Sequence, residues 1–179
     1  MLVFQYGSNT SAERLNSPER LAGAAVAVGL AQTVLKYRIA FTYRSKANDC
    51  GVADLIPDDV TGRHVLGVAY FIPEERIFRG HGVHSKTLDQ IEGEGTAYRR
   101  IEIEVLLPDG ARTRALTYVV LTPEINHPTS VQYVEYIITG LRRHDAPREY
   151  LEYIVACASE SCPELTQSFR ALTADAAAV

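Results

Sequence analysis

The sequence has 179 residues, of which 46% are hydrophobic and 22% are charged, and its formal net charge is −4. This length supports one domain with a real core, and the composition excludes a largely disordered chain. The 18 lysines and arginines are scattered, which disfavours nucleic-acid binding. No apolar run is long enough to span a membrane, so we expect a cytoplasmic protein with no membrane partner.

The domain plan follows from the same composition. We expect a single domain over residues 1–160 and a C-terminal extension over residues 161–179 that is partly disordered, because its end is rich in alanine. The cysteines Cys50, Cys157 and Cys162 are odd in number and have no CxxC spacing. They fit neither a disulfide framework nor a zinc site, and buried hydrophobic positions are their default.

The first predicted element is a short buried strand over residues 2–6, and the letters YGSN at 6–9 mark its end and the loop that follows. A helix is predicted to begin at once, with Thr10 as N-cap and Glu13 at capping-box spacing. A strand that stops at a glycine before a helix leaves backbone N–H groups unpaired, and such groups bind carboxylates and phosphates. The first nine residues are therefore predicted to form half of a binding site.

Further strands are predicted where β-branched and aromatic runs are bounded by Pro, Asp and Gly: 26–43, 51–56, 65–72, 98–107 and 112–121. The first of these runs is broken near Gly29, where we expect a bulge. The last two flank PDGA and are predicted to pair as a hairpin. Helices are predicted over 84–92, 130–143 and 147–158. Many strands with singly inserted helices favour an α+β domain with a mixed, closed or nearly closed sheet.

Glu92 occupies an unusual position in its predicted helix. It follows Leu88 by four residues, so it lies on the same apolar face and is directed toward the core. Gly93 is a natural C-cap, which places Glu92 at the negative end of the helix dipole. Burial and the dipole would both raise its pKa, as general acid–base catalysis requires. The alternative is that Glu92 is simply exposed at a frayed helix end.

Other candidate groups carry weaker signals. His81 and His84 have a possible metal-ligand spacing, but no third ligand lies nearby in the sequence, so we interpret HGVH as a surface loop and expect no metal and no cofactor. Ser8 and Ser161 do not lie in the G-x-S-x-G pattern of a nucleophile elbow. Ser8 is therefore interpreted as a hydrogen-bonding loop residue.

Two motifs occur in order along the chain: YGSN at 6–9, and LDQIEG at 88–93 followed by Tyr98. Together they resemble the gamma-glutamylcyclotransferase family, also called AIG2-like. The similarity extends over about residues 2–155 through GVADL, HVLGVAYFI, YRRIEIEV and TSVQYVEYI. It implies a small mixed β-barrel surrounded by helices, with Glu92 as the catalytic acid/base. It also implies a substrate-binding set: Tyr6, Gly7, Ser8, Asn9, Tyr98 and Tyr133.

The resemblance also implies a reaction. The free α-amine of a gamma-glutamyl amide would attack its own γ-carbonyl, giving 5-oxoproline and a free amine, with the amides around Gly7 and Ser8 holding the oxyanion. A gamma-glutamyl amide is thus the expected small-molecule partner. A hydrolase that uses the same glutamate and a non-catalytic binding module are the alternatives. The sequence leaves open which amine departs and whether the chain forms a homodimer.

Overall fold

The computed structural model describes residues 1–80 and 86–174. Its described strands form one six-stranded sheet in the order β3-β2-β4-β1-β6-β5. These strands are β1 (Leu2–Gln5), β2 (Val26–Ser45), β3 (Cys50–Pro57), β4 (Arg63–Phe71), β5 (Tyr98–Leu106) and β6 (Arg112–Val120). Because β5 also pairs with β2, five strands close into a barrel. The β1–β6 pairing is parallel and the others are antiparallel, so the barrel is mixed, as predicted.

The 20-residue strand β2 closes this barrel. Its register against β4 shifts between Ala27 and Gly29, which confirms the predicted break, and shifts again between Gln32 and Lys36. Bulges bend a strand and increase its twist. The bent strand thereby pairs with β4 along one edge, and with β5 and then β3 along the other. The predicted hairpin of β5 and β6 is also confirmed.

Five described α-helices accompany the barrel: α1 (Ala12–Leu15), α2 (Leu88–Glu92), α3 (Val131–Arg142), α4 (Arg148–Ser161) and α5 (Thr166–Ala171). The apolar face of α3 buries Val134, Ile137 and Leu141 in the core. Helices α3 and α4 lie where the sequence predicted them. No helix of the described chain is long and apolar enough to cross a membrane.

The helix α2 is shorter than predicted. Its described part begins only at Leu88, because Thr87 and Gln90 form a capping box that fixes the start. Residues 84 and 85 of the predicted helix lie outside the described residues. Beyond residue 160, α5 buries Phe169 completely. The boundary at residue 160 stays a prediction.

The predicted cap at Thr10 is wrong. Residues Ser8–Thr10 form a 3-10 helix, in which the Thr10 N–H donates to the Gly7 carbonyl at 3.0 Å. The cap of α1 is instead Ser11, whose side chain accepts from the Arg14 N–H at 3.3 Å. The 3-10 helix thus moves the cap of α1 by one residue along the chain, from Thr10 to Ser11.

This 3-10 helix is held tightly against α3. A Cβ at Gly140 would overlap the Thr10 carbonyl group, so the glycine permits the two backbones to touch. The Thr10 carbonyl accepts from the Tyr70 hydroxyl at 2.9 Å, and the Thr10 hydroxyl donates to the Ile137 carbonyl at 3.3 Å. Packing and hydrogen bonds together fix the segment that follows β1.

Candidate active site

The end of β1 opens into a small cavity of about 30 Å³, room for only a few water-sized atoms. The cavity brings together the 3-10 helix, strand β3, helix α2, the hairpin and helix α3. All seven residues that the sequence analysis selected line it. The full lining comprises Gln5, Tyr6, Gly7, Ser8, Asn9, Ala53, Glu92, Tyr98, Tyr118 and Tyr133.

Helix α2 carries Glu92 to this cavity. Leu88 is fully buried and anchors the helix, and Gly93 ends it in the left-handed conformation, with φ 66° and ψ 44°. The side-chain amide of Asn9 donates to Glu92 Oε1 at 2.5 Å. Glu92 therefore contacts the N-terminal loop, and the alternative of a freely exposed helix end does not describe this structure.

Burial is the main cause of a raised pKa at Glu92. The charges of Arg20 and Arg14 and the hydrogen bond from Asn9 oppose the rise. The helix dipole, the second cause predicted from the sequence, contributes little, because α2 has only five residues and so short a helix has little macrodipole. A carboxyl group with a raised pKa accepts and returns a proton near neutral pH more readily than an ordinary one.

Arg20 completes a chain of hydrogen bonds to Glu92. Its Nη2 donates to Asn9 Oδ1 at 2.6 Å, which leaves the Asn9 NH₂ group directed at Glu92. Burial lowers the pKa of Arg20, while Glu92 opposes this. Arg20 was not predicted from the sequence, because it lies in the turn after α1 and no motif marks it.

Four tyrosines form polar but uncharged walls. The Tyr6 hydroxyl donates to the Tyr118 carbonyl at 2.5 Å, and the Tyr98 hydroxyl lies 3.4 Å from the Ala53 carbonyl. The Tyr133 hydroxyl accepts from the Ala53 N–H at 3.1 Å. Burial raises the pKa of each of these phenols, so all four stay protonated at neutral pH.

Tyr118 was not selected from the sequence. It lies in β6 at a buried position, and its hydroxyl donates to Asp89 Oδ1 at 2.7 Å. The alternation of β6 could have indicated that Tyr118 faces the interior. It could not have indicated that Tyr118 lines the cavity.

Gly7 and Ser8 contribute backbone and close packing. Gly7 has an extended backbone, with φ −96° and ψ −151°, so it is not needed for a left-handed conformation. A Cβ at Gly7 would instead lie 3.1 Å from the Tyr133 hydroxyl oxygen, tighter than ordinary contact. The hydroxyl and the backbone of Ser8 both form hydrogen bonds with Tyr133. These bonds lower the pKa of Tyr133 and so oppose the rise that burial causes.

A wider cleft of about 440 Å³ adjoins the cavity. The two share Ser8, Asn9, Glu92, Tyr98 and Tyr133, so Glu92 lies where they meet. Since the cavity holds only a few atoms, most of any organic ligand must lie in the cleft. The cleft is therefore part of the candidate site.

The remaining sequence candidates lie elsewhere. His81 and His84 lie outside the described residues. Cys50, Cys157 and Cys162 are free and buried, as expected of small hydrophobic residues. Burial raises the pKa of the Cys157 thiol to about 11, so this thiol is protonated at neutral pH.

Comparisons with known proteins agree with this fold. A family model described as the AIG2-like family matches residues 64–154. A solved structure named gamma-glutamyl cyclotransferase is 24% identical with a TM-score of 0.73, and the alignment covers 87% of this chain and 86% of that one. An uncharacterized protein from Homo sapiens is 25% identical with a TM-score of 0.70 and the same coverage.

A third solved structure is longer than this chain. YkqA from Bacillus subtilis is 25% identical with a TM-score of 0.71, and the alignment covers 89% of this chain but 54% of YkqA. No curated protein matches the sequence. At 24% identity, the likeness to the first structure concerns the fold alone.

Proposed function

The chain belongs to the AIG2-like family, and on this premise we propose that it cyclises a gamma-glutamyl amide to 5-oxoproline and releases the free amine. The observation that supports this most is Glu92, a carboxyl group of raised pKa held by Asn9 at the mouth of a tyrosine-lined cavity. One such group suffices for a reaction whose nucleophile belongs to the substrate.

The first step is proton removal. Glu92 as carboxylate takes a proton from the substrate's α-ammonium group, and the amine nitrogen then attacks the γ-carbonyl carbon to close a five-membered ring. Nucleophile and electrophile belong to one molecule, so most of the entropy cost of bringing them together is already met. The cavity and the adjoining cleft together need only to hold the chain in a curled conformation.

The second step is amide cleavage. The attack places negative charge on the γ-carbonyl oxygen, and we assign its stabilisation to the backbone N–H groups around Gly7 and Ser8. Glu92, now protonated, gives its proton to the departing nitrogen as the old C–N bond breaks. The regenerated carboxylate then takes the second proton from the ring nitrogen, which becomes the N–H of 5-oxoproline, and passes it to the released amine, which leaves as an ammonium ion. The proton taken in the first step is thus returned in the second, and no water is consumed.

The walls of the cavity suit this sequence of steps. The neutral phenols of Tyr6, Tyr98 and Tyr133 supply dipoles and hydrogen bonds without a competing charge. Arg20 holds the Asn9 amide, which in turn holds Glu92 in one orientation. We assign Arg20 and Asn9 as positioning residues and Glu92 as the catalytic residue.

The test is product identification. Purified protein is incubated with a panel of gamma-glutamyl amides, and 5-oxoproline, glutamate and the released amine are quantified by mass spectrometry, with Glu92→Gln as the matched control for contaminating activity. Formation of 5-oxoproline equimolar with amine, absent in Glu92→Gln, supports the proposal. Free glutamate in place of 5-oxoproline identifies a hydrolase, and binding without turnover identifies a non-catalytic module.

A further inference from the structure

We infer that Gln5 is a further catalytic residue, whose side-chain amide donates a hydrogen bond to the γ-carbonyl oxygen as that oxygen becomes negatively charged. This inference rests on the proposed function and adds a side-chain donor to the backbone N–H groups around Gly7 and Ser8. Gln5 is the last residue of β1 and directly precedes the YGSN motif.

The side-chain amide of Gln5 is a buried donor. The residue is only 6% exposed, and its Nε2 has no hydrogen-bond partner within the described chain. Buried polar groups in native proteins nearly always have a partner, because an unpaired donor away from water destabilises the folded state. An unpaired donor in a binding cavity is therefore suited to a partner that the ligand supplies.

Gln5 lies at the cavity that also holds Glu92. The parallel pairing of β1 with β6 sets Val3 beside Leu116. Two residues further along each strand, Gln5 lies beside Tyr118, and side-chain alternation places the two on the same face of the sheet. Both residues line the cavity, so the amide of Gln5 adjoins the space for the reacting atoms.

Two phenols of the same lining donate to the protein itself. The Tyr6 hydroxyl donates to the Tyr118 carbonyl at 2.5 Å. The Tyr118 hydroxyl donates to Asp89 Oδ1 at 2.7 Å. Gln5 differs from both, because its N–H donors remain available to a ligand.

The charge of the cavity indicates which substrate oxygen accepts from Gln5. Its described lining contains no lysine or arginine, and Glu92 is negative when it acts as the base. A substrate carboxylate in this small space would lie beside a like charge with no cation to compensate. The γ-carbonyl oxygen is neutral until the amine attacks, so it fits a neutral donor here.

The amide of Gln5 acts as the charge develops. When the amine nitrogen bonds to the γ-carbon, the π electron pair of the carbonyl moves to its oxygen, and the pair returns as the old C–N bond breaks. The Gln5 proton stays on its own nitrogen throughout. Because the hydrogen bond strengthens as the charge grows, it lowers the barrier more than it improves substrate binding.

Gln5→Met tests this role. It removes the amide and keeps an unbranched side chain of similar length, so we expect kcat and kcat/KM both to fall by about tenfold to a hundredfold, with KM nearly unchanged. The Tm of the free protein should not fall, because Nε2 has no partner to lose within the described chain. The readouts are steady-state kinetics of 5-oxoproline formation and a thermal melt.

Gln32→Met is the matched control. It makes the same exchange at a half-buried position of β2 that lies outside the lining of the cavity and of the cleft. It should preserve kcat. An equal fall in kcat in Gln32→Met would show that the loss in Gln5→Met is not specific to the cavity and would overturn the inference.

The outcomes separate this inference from the proposed function. If the wild type forms 5-oxoproline and Gln5→Met has an unchanged kcat, with or without a higher KM, Gln5 has no role in stabilising the oxyanion and the cyclotransferase proposal stands. A fall in kcat with a matching fall in Tm would make Gln5 structural and also overturn the inference. Absence of turnover of every gamma-glutamyl amide would overturn both.

A second variant covers the case in which Gln5→Met does not fold. Gln5→Leu removes the same amide with a shorter apolar side chain, and the same fall in kcat at unchanged KM is expected. If neither variant folds, the side chain is needed for the fold and the inference is overturned.

Discussion

Helix α2 carries two carboxylates three residues apart, and they occupy opposite environments. Asp89 faces the β5–β6 hairpin, where its Oδ1 accepts from Arg100 at 2.5 Å and from the Tyr118 hydroxyl at 2.7 Å. Glu92 faces the N-terminal loop, where it accepts from the neutral amide of Asn9. Arg20 and Arg14 influence Glu92 by charge without a direct hydrogen bond.

These different partners suit the two carboxylates to different roles: Asp89 can anchor the helix, whereas Glu92 can exchange protons. A carboxylate that accepts from a guanidinium and a phenol ties its helix to the elements that carry them, and removing either partner destabilises the fold. A carboxylate held by a neutral amide keeps its orientation, while burial raises its pKa. The same short helix is thus held to the hairpin through Asp89 and presents Glu92, the proposed catalytic group, to the cavity.

Glu92→Gln should have the largest effect on activity. The amide preserves the shape of the side chain but cannot carry a proton, so we expect kcat to fall by ~10²- to 10⁴-fold. Steady-state kinetics on the best substrate of the panel measure this. A variant that kept more than about a tenth of the wild-type activity would exclude Glu92 as the base.

The same variant should not lose stability at neutral pH. Because the pKa of Glu92 is raised in the folded protein, its contribution to stability is fully present below the unfolded pKa and is lost as pH rises through the folded pKa. Glu92→Gln removes that dependence, so the difference in Tm between variant and wild type should grow in the variant's favour as pH increases. Thermal melts at several pH values measure this.

Asp89→Asn should have the opposite effects to Glu92→Gln: a larger loss of stability and a smaller loss of activity. Asparagine leaves the Arg100 and Tyr118 donors without a charged acceptor, and we expect the free energy of unfolding to fall by about 1–3 kcal/mol. The Arg100 side chain is 28% exposed, so hydrogen bonds to water partly compensate for the lost carboxylate. Urea denaturation gives the loss, and kcat should fall less than in Glu92→Gln. A stable Asp89→Asn with no activity would contradict the comparison.

Arg20→Gln should shift the pH profile. Two cations, Arg14 and Arg20, and four neutral phenols, those of Tyr6, Tyr98, Tyr118 and Tyr133, interact with Glu92. Loss of a cation raises the pKa of Glu92 further, so the acid limb of kcat/KM should move to higher pH and activity at pH 6 should fall several-fold.

Arg20→Lys is the matched control for Arg20→Gln. It retains the charge but not the planar donor geometry of the guanidinium. The acid limb should therefore stay closer to that of the wild type, while kcat falls because Asn9 is less well held. Identical profiles for the wild type, Arg20→Gln and Arg20→Lys would mean that Arg20 does not act on Glu92.

Ser8→Ala should have the smallest effect. The backbone N–H is retained, so only the hydrogen bonds of the hydroxyl are lost, about 0.5 to 1.5 kcal/mol, or roughly twofold to tenfold in kcat/KM. The measurement is a direct comparison with Glu92→Gln on one substrate. If Ser8→Ala were equally inactive with an unmoved loop, a covalent gamma-glutamyl intermediate on Ser8 should be sought by mass spectrometry.

The strands, the hairpin and the break at Gly29 were predictable because they depend on local alternation and on breaker residues. The position of Glu92 at the cavity was predictable because a carboxylate on the apolar face of a helix conflicts with the usual apolar pattern. The N-cap of α1 was not predictable, since Thr10 and Ser11 are both good caps and packing on α3 decides between them. Arg20 joins the site through a contact that only the folded chain defines.

Gly140 has a consequence for how this protein tolerates mutation. Alanine is favoured over glycine inside a helix by about 1 kcal/mol, so a helix considered alone would favour the exchange. Here the added methyl group would push α3 off the Thr10 backbone and move the adjoining Asn9 away from Glu92. A position remote in sequence and outside the cavity lining thus limits which variants of the loop can evolve.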